Sequence, residues 1–280
     1  MKNVLLRIRE LQNGMTDTKQ NICQYIEKNP YEVTKMTIRD LARKSYSSPS
    51  TIVRFVRDLG FDSFSEFKQE LLVDLNTLEN SNITDSKIRK DDSIYEIINK
   101  VTFSNMQSLQ DTAALLDENI VNKCVKQMSS SETILLFGMG SSYLCASDAF
   151  LKFIRLNKNC LTAEDWHTQL LIAKNATRND IALIFSYSGD TSEMIEVAKA
   201  LKDNKTPTFA VTRYSTNSLS RIVDHNLYVA GNESVFRKGA MSSRVSQLNI
   251  IDILFTLYIN ENYDKSMEQL IKTHFQKNSN

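Results

Sequence analysis

Two short segments of the 280-residue chain place hydroxyl groups and glycines directly after apolar runs, a pattern suited to holding a phosphate. They are residues 137–143, FGMGSSY, and residues 185–193, FSYSGDTSE. Where a strand ends and a helix begins, unpaired backbone N–H groups and the positive end of the helix dipole converge on one point. Hydroxyl side chains add donors there, and a glycine such as Gly189 lets the backbone approach a ligand closely. Both segments are therefore candidate anion sites.

The segment 185–193 gives the stronger signal of the two. Ser186, Ser188 and Thr191 lie close together in it, and Asp190 with Glu193 has the spacing of a capping box for the helix that follows. The segment 137–143 is weak evidence alone, because Gly-x-Gly after a strand is common and the third glycine of the dinucleotide fingerprint is missing. The alternative for both segments is that the serines only cap helices.

A second motif, residues 37–55 (TIRDLARKSYSSPSTIVRF), has the features of a helix-turn-helix. Such a motif needs a small residue where two helices cross and a polar amino-terminal turn that faces the major groove. Ala42 is the small residue, Ser48 is placed to cap the second helix, and Pro49 suits its first position. The alternative is a small helical bundle whose arginines form a solvated face. The side chains predicted to contact DNA are Arg43, Lys44, Ser48, Ser50, Thr51, Arg54 and Arg57.

The elements that must position these residues change type along the chain. Apolar residues at helical spacing predict helices at 16–29, 37–45, 49–59 and 63–78, followed by a polar linker at 79–92. Further helices are predicted at 93–116, 120–128, 142–156, 191–203 and 242–260, and strands at 133–137, 181–185, 208–211 and 227–230. We therefore predict an all-α helix-turn-helix domain at 1–78 and a doubly wound α/β domain with a parallel sheet at 93–280.

Composition limits the classes of protein to consider. With 41% hydrophobic and 24% charged residues, the chain is typical of a globular protein of two domains. The formal net charge is +1, so any surface for nucleic acid must be local. The four cysteines are scattered without Cys-x-x-Cys spacing, and we predict no disulfide, zinc, cofactor or catalytic residue. The apolar runs are too short to span a membrane and no signal-peptide core follows Met1, so a cytoplasmic location is expected.

Residues 36–45, 48–61 and 64–68 closely resemble the amino-terminal domain of RpiR-type regulators, which are bacterial repressors and activators of sugar metabolism. The run Ser-x-Ser-Gly-x-Thr at 186–191, together with the order of the strands, resembles the sugar isomerase (SIS) domain. This flavodoxin-like domain binds phosphosugars in isomerases and in RpiR-type regulators. Residues 233–252 resemble its last part, so the likeness covers roughly residues 1–260.

The resemblance implies a site for a phosphosugar effector. By it, Ser186, Ser188 and Thr191 hold the phosphate, with Ser142 from the first loop. Glu233 is a candidate contact for sugar hydroxyls or an amino group. The alternative is that Glu233 is a surface carboxylate that caps a turn or pairs with Arg237. The complete predicted effector set is Gly140, Ser141, Ser142, Ser186, Ser188, Gly189, Thr191 and Glu233.

The departures from the family pattern concern turns. Tyr46 stands where the family usually has glycine, and Ser47 stands where it has an apolar residue. Either Tyr46 takes a positive φ, which is uncommon for a residue with a side chain, or the turn differs locally. Asn157 and Asn204 stand at two bends where the family usually has glycine, and asparagine tolerates the left-handed conformation expected there.

These features together predict a transcription regulator of sugar or amino-sugar metabolism that binds double-stranded operator DNA and a phosphosugar. A homodimer or homotetramer would set the spacing of two DNA-reading heads, so a nearly palindromic operator is expected. The alternative is a phosphosugar isomerase or lyase with an accessory helical domain, for which only Glu233 stands out as a base. A third possibility is a phosphosugar-binding module that contacts protein partners instead of DNA.

Overall fold

The computed structural model describes residues 4–11, 16–79, 88–230 and 240–274. The chain forms two compact units, residues 1–115 with 214–216 and residues 116–213 with 217–280. Most of the predicted linker at 79–92 lies outside the described residues, and the domain boundary placed there stays a prediction. Within the described residues, no helix combines the length and the apolar character needed to cross a membrane.

The first unit is helical in its described parts. The four helices predicted before residue 79 are confirmed to within one or two residues at each end, and two short helices were not predicted. Pro30 follows the helix predicted at 16–29 and is the first residue of the next helix, a position whose N–H has no partner within the helix. The helices are α1 (Val4–Leu11), α2 (Asp17–Lys28), α3 (Pro30–Lys35), α4 (Ile38–Lys44), α5 (Pro49–Asp58), α6 (Phe64–Glu79) and α7 (Ile94–Leu115).

One hydrophobic core joins α1 to α6. Ile22, Ala42 and Phe55 are buried in it, as the helical spacing predicted. Val53 and Leu72 also belong to the apolar patterns that predicted the helices at 49–59 and 63–78, and both were expected in the core, but they are 39% and 45% exposed. Both lie one position past the stripe of their helix, next to the buried residues Ile52 and Leu71, and therefore point away from the core.

The second unit is an α/β domain with a parallel sheet, as predicted. In the part of this unit that the structure describes, five strands lie in the order β2-β1-β3-β4-β5, and every neighbouring pair is parallel. The strands are β1 (Ile134–Gly138), β2 (Cys160–Leu161), β3 (Ile181–Phe185), β4 (Thr208–Arg213) and β5 (His225–Val229). The helices are α8 (Glu118–Ser130), α9 (Ser141–Ile154), α10 (Trp166–Asn175), α11 (Ser192–Asp203), α12 (Met241–Glu261) and α13 (Tyr263–Lys272).

Side chains of the sheet alternate between two cores. Leu136 and Leu183 face the core shared with α8, α9 and α12, whereas Leu135 and Ile184 face the core shared with α10 and α11. This double coverage explains why the central strands are uninterrupted apolar runs. The sequence predicted no strand at β2 and no helix at α13, and for α10 it indicated only a helix start near Asp165. β2 has only two residues, too few to show any periodicity.

Four non-glycine residues of the described ranges have a left-handed backbone: Tyr46, Asn157, Lys205 and Ala240. Tyr46 has φ of 53° and Asn157 has φ of 56°, so the turn after α4 keeps its left-handed position and places tyrosine there. The expectation for Asn204 is wrong by one residue: Asn204 has φ of −82°, and Lys205 carries the positive φ of 57°. The Asn204 amide instead donates to the carbonyl oxygens of Ala173 and Lys174, which fixes the end of α11.

All four cysteines are free thiols, and three of them are buried. Burial raises the pKa of the Cys23 and Cys145 thiols to about 12. They therefore stay protonated and pack as small apolar groups.

Candidate functional site

The helix pair α4–α5 begins with a capping box that the sequence prediction did not use. The Thr37 hydroxyl accepts a hydrogen bond from Asp40 N at 3.2 Å, and the Asp40 carboxylate accepts from Thr37 N and Oγ1 at 3.3 and 2.6 Å. The hydrogen bonds from Thr37 hold the pKa of Asp40 below its usual range. The signal was present as Thr-x-x-Asp before an apolar run.

The turn between α4 and α5 is held by hydrogen bonds to the end of α4. Ser45 Oγ donates to Leu41 O at 2.7 Å, and Ser47 N donates to Ala42 O at 2.8 Å. Tyr46, at the left-handed position, is 90% exposed. The ring of Tyr46 therefore packs against almost nothing in the protein and lies in solvent.

The start of α5 carries the predicted hydroxyl cluster. Ser48 caps the helix as predicted, its Oγ accepting from Thr51 N at 3.1 Å, and Pro49 follows at the first helical position. The Ser48 hydroxyl also lies 2.8 Å from the hydroxyls of Ser50 and Thr51. The three hydroxyls are thus gathered at the positive end of a helix, where phosphate oxygens or base edges are readily met.

Four basic residues follow on the exposed side of the same helix pair. Arg43, Lys44, Arg54 and Arg57 are all exposed. Arg43 pairs with Asp40 at 3.0 Å, whereas Arg54 and Arg57 form no ion pair with any of the described residues. The arginines of α5 are therefore available to a negatively charged partner.

The two hydroxyl-rich loops of the second unit leave adjacent strands at the same edge of the sheet. β1 and β3 are neighbours, with Gly138 opposite Phe185 at the end of the ladder. Gly140, at φ of 55°, precedes α9, and Tyr143 N donates to its carbonyl oxygen at 3.1 Å. Ser141 and Ser142 form the first turn of α9. The structure therefore brings together both loops that the sequence singled out.

The loop after β3 has its hydroxyls in contact. Ser186 Oγ lies 3.2 Å from Thr191 Oγ1, and Ser188 Oγ accepts from Asp190 N at 3.2 Å. Gly189, at φ of 69°, makes the tight turn between them. Thr191 is the residue before α11, yet its side chain caps no N–H of that helix. The hydroxyl of Thr191 therefore remains directed to the loop.

The capping box predicted from Asp190 and Glu193 does not form. Asp190 Oδ1 instead accepts from Ser218 N at 2.9 Å, on the turn after β4. Glu193 accepts from the hydroxyl of its neighbour Ser192 at 2.9 Å, and the hydrogen bonds from its own backbone N–H and from Ser192 lower its pKa. The prediction was wrong because a partner distant in sequence competes for the carboxylate.

Two residues that support the loops were not identified from sequence. Gln169 of α10 is fully buried and bonds both backbone groups of Gly138: Oε1 accepts from its N–H at 3.0 Å and Nε2 donates to its carbonyl at 2.9 Å. Asn217 packs on Gly189 so closely that an added Cβ there would lie 2.2 Å from the amide. Gly189 O also accepts from Leu219 N at 2.9 Å. Each loop is thus fixed by one buried amide side chain.

The remaining predicted contact is Glu233, which lies in 231–239, outside the described residues. Among the residues that are described, no three histidine, cysteine, aspartate or glutamate side chains are grouped so that they could hold a metal ion.

Known proteins match both units. Residues 2–77 match the helix-turn-helix domain of the rpiR family, and residues 127–257 match the SIS domain. An uncharacterized HTH-type transcriptional regulator from Caldanaerobacter subterraneus subsp. tengcongensis is 34% identical over 273 residues, which are 98% of this chain and 96% of the relative. The chain belongs to the rpiR family of helix-turn-helix transcriptional regulators.

Two solved structures extend the likeness of this rpiR-family chain. NanR from Vibrio vulnificus, solved in complex with ManNAc-6P, is 28% identical, with 97% of this chain and 96% of NanR covered and a TM-score of 0.60. The sugar isomerase domain of an RpiR transcription factor from Sphaerobacter thermophilus is 18% identical, with 63% of this chain and 97% of that domain covered and a TM-score of 0.57. The first supports the family over the full length, and the second supports the fold. The predicted resemblance to RpiR regulators and to the SIS domain is confirmed.

Proposed function

We propose that this regulator binds operator DNA with the start of α5. The contact set is Arg43, Lys44, Ser48, Ser50, Thr51, Arg54 and Arg57. The observation that supports it is the hydroxyl cluster at the start of α5, followed along the exposed side of the helix by two arginines without ion pairs in the described residues. Hydroxyls and backbone N–H groups there would meet phosphates, and Arg54 or Arg57 would bind guanine through two hydrogen bonds.

The second unit is proposed to bind a phosphosugar at the ends of β1 and β3. The phosphate would lie between the loop with Gly140, Ser141 and Ser142 and the loop with Ser186, Ser188, Gly189 and Thr191. The observation that carries this proposal is the adjacency of the two loops, with a threonine hydroxyl that caps nothing. ManNAc-6P bound to NanR, which is 28% identical over nearly the whole chain, supports a sugar phosphate as the class of ligand. Glu233 is proposed as a contact for the sugar.

The remaining parts of the proposal concern the whole protein. We infer a homodimer or homotetramer acting in the cytoplasm, with a nearly palindromic operator and no catalytic activity. The named relatives are transcriptional regulators, which favours a regulator over the alternative of a phosphosugar isomerase or lyase. An enzyme would need a positioned acid and base beside the sugar, and only Glu233 was identified as a candidate base.

The decisive experiment measures binding to the DNA that flanks the protein's own gene, at one fixed salt concentration, with a panel of phosphorylated sugars and amino sugars. The expected result is specific DNA binding that one phosphosugar changes while remaining intact by mass spectrometry. A chain that binds no DNA and converts the phosphosugar would establish the enzyme instead. Binding of DNA that no phosphosugar alters would remove the proposed role of the two loops.

A further inference from the structure

We propose that the second unit has another ligand site, for a small organic anion, at the edge of the sheet opposite the phosphosugar loops. A cavity of about 550 Å³ opens there. It is lined by residues just before β4 and β5, by the end of α11 and by α8. Its volume is in the range of small-molecule sites in proteins, about 300–1,000 Å³. Since β3 has five residues and a strand rises about 3.3 Å per residue, the cavity is roughly 17 Å from the phosphosugar loops.

The charge around the cavity is strongly positive. Three lysines, Lys123, Lys202 and Lys205, line it together with His225 and a single carboxylate, Asp224. None of the three lysines forms an ion pair with a described residue. Asp224 is already engaged, because its Oδ2 accepts from Thr208 N at 2.9 Å. Three exposed lysines thus line one opening together with one carboxylate that already accepts a backbone hydrogen bond.

Ordinary helix stabilisation accounts for only one of these lysines. Lys202 lies in the last turn of α11, where the negative end of the helix dipole favours a cation. Lys123 lies in the middle of α8, and Lys205 lies beyond the end of α11 at φ of 57°, a position that favours glycine or asparagine. A lysine placed there at a conformational cost is consistent with a charge needed at the cavity.

Two residues that line the cavity also have buried polar atoms that make no hydrogen bond with a described residue, and these atoms lie beneath the surface of the cavity. Thr206 is 2% exposed, and its hydroxyl makes no hydrogen bond in the described structure. Gln127 Oε1, one turn after Lys123 on α8, is likewise buried and unpaired. Ala198, Pro207 and Ile222 supply apolar surface beside them. A ligand with an anionic group and a compact organic body, carrying phosphate or carboxylate, fits this lining.

The test uses the full chain with Ser188→Ala and Thr191→Ala, so that the phosphosugar loops are disabled. Inorganic pyrophosphate and citrate, as phosphate and carboxylate probes, are titrated by calorimetry at constant ionic strength. We expect saturable binding of at least one probe, weakened roughly tenfold or more by Lys123→Gln with Lys202→Gln and Lys205→Gln. The probe that binds more tightly identifies the anionic group.

The matched control removes the same charge from the same unit outside the cavity. Lys126→Gln, Lys174→Gln and Lys199→Gln are exposed substitutions on α8, α10 and α11, and they should leave the affinity within about twofold. No saturable binding, or equal weakening by both triple variants, would overturn the proposal. The proposed function is tested separately, because the three cavity substitutions alone leave both phosphosugar loops intact. Phosphosugar binding by that variant therefore does not depend on whether the cavity binds an anion.

Discussion

At the scale of single residues, the phosphosugar site depends on hydroxyl groups whose own hydrogen bonds are few. Ser188 accepts one bond from Asp190 N, and Thr191 lies beside Ser186 without capping α11. Hydrogen bonds to a charged group contribute about 1.5–3 kcal/mol each. We therefore expect Ser188→Ala with Thr191→Ala to weaken phosphosugar binding by roughly a hundredfold or more, measured by calorimetry. DNA binding without the sugar should be unchanged.

Ser192, the first residue of α11 and the neighbour of Thr191, provides the matched control. Its hydroxyl is exposed and is bonded to Glu193 at 2.9 Å, so Ser192→Ala removes a hydroxyl without removing a predicted phosphate contact. The affinity of this variant should stay within about twofold of the unaltered chain. If the double variant also keeps its affinity, the phosphate is bound elsewhere.

The residues that supply the chemistry were readable from sequence, whereas those that support them were not. Ser186, Ser188 and Thr191 lie within six positions, so their local spacing predicted the loop. Gln169 bonds Gly138 across a separation of 31 residues, and Asn217 reaches Gly189 from the turn after β4. Contacts of this kind depend on the order of strands in the sheet and leave no local pattern. The wrong capping box at Asp190 has the same origin, because Ser218 is 28 residues away.

At the scale of elements, long helices and buried strands were predicted well because each shows several turns or residues of one period. α1 and α3 are short helices, and β2 is a two-residue edge strand. Each contains too few residues to show a periodic pattern, so the sequence did not predict them. α1 is nevertheless fixed firmly in the helical unit. Asp74 of α6 accepts from Val4 N at 2.6 Å and from Leu5 N at 3.1 Å, which satisfies the first N–H groups of α1.

This cap makes the stability of the helical unit depend on pH. Burial raises the pKa of Asp74 to about 6, with the two backbone N–H groups opposing the shift and the charges of Glu70 and Asp111 adding to it. Because the pKa is higher in the folded than in the unfolded state, the contribution of Asp74 to stability is largest below about pH 4 and is lost as the pH rises through 6. Asp74→Asn keeps an acceptor for α1 but does not titrate.

Urea unfolding at pH 5 and pH 7 measures this effect as a double difference. The unaltered chain should lose stability relative to Asp74→Asn between the two values, and the titration of all other groups cancels in the comparison. Asp91→Asn, at an exposed position, should show no such change relative to the unaltered chain. A constant difference between the unaltered chain and Asp74→Asn would show that the cap does not titrate in this range.

At the scale of the whole molecule, two functions lie in two compact units of one chain. A phosphosugar can change DNA binding only if its affinity differs between the arrangements that bind DNA and those that do not. The coupling must also be reciprocal, so operator DNA has to change phosphosugar affinity by the same factor. For a symmetric oligomer, the arrangement of two DNA-reading units is what the effector would alter.

If the regulator is a symmetric dimer, its DNA binding must depend on the spacing of the operator half-sites. Two recognition helices held by a dimer meet successive major grooves about 10–10.5 base pairs apart, or multiples of that distance. Inserting five base pairs between the half-sites turns one of them to the opposite side of the duplex, so affinity measured by gel shift should fall to the non-specific level. Inserting ten base pairs restores the facing side, and affinity should recover in part if the units can separate by one further turn. Equal affinity for all three operators would mean that each α5 binds its half-site independently, and the dimeric arrangement would have to be abandoned.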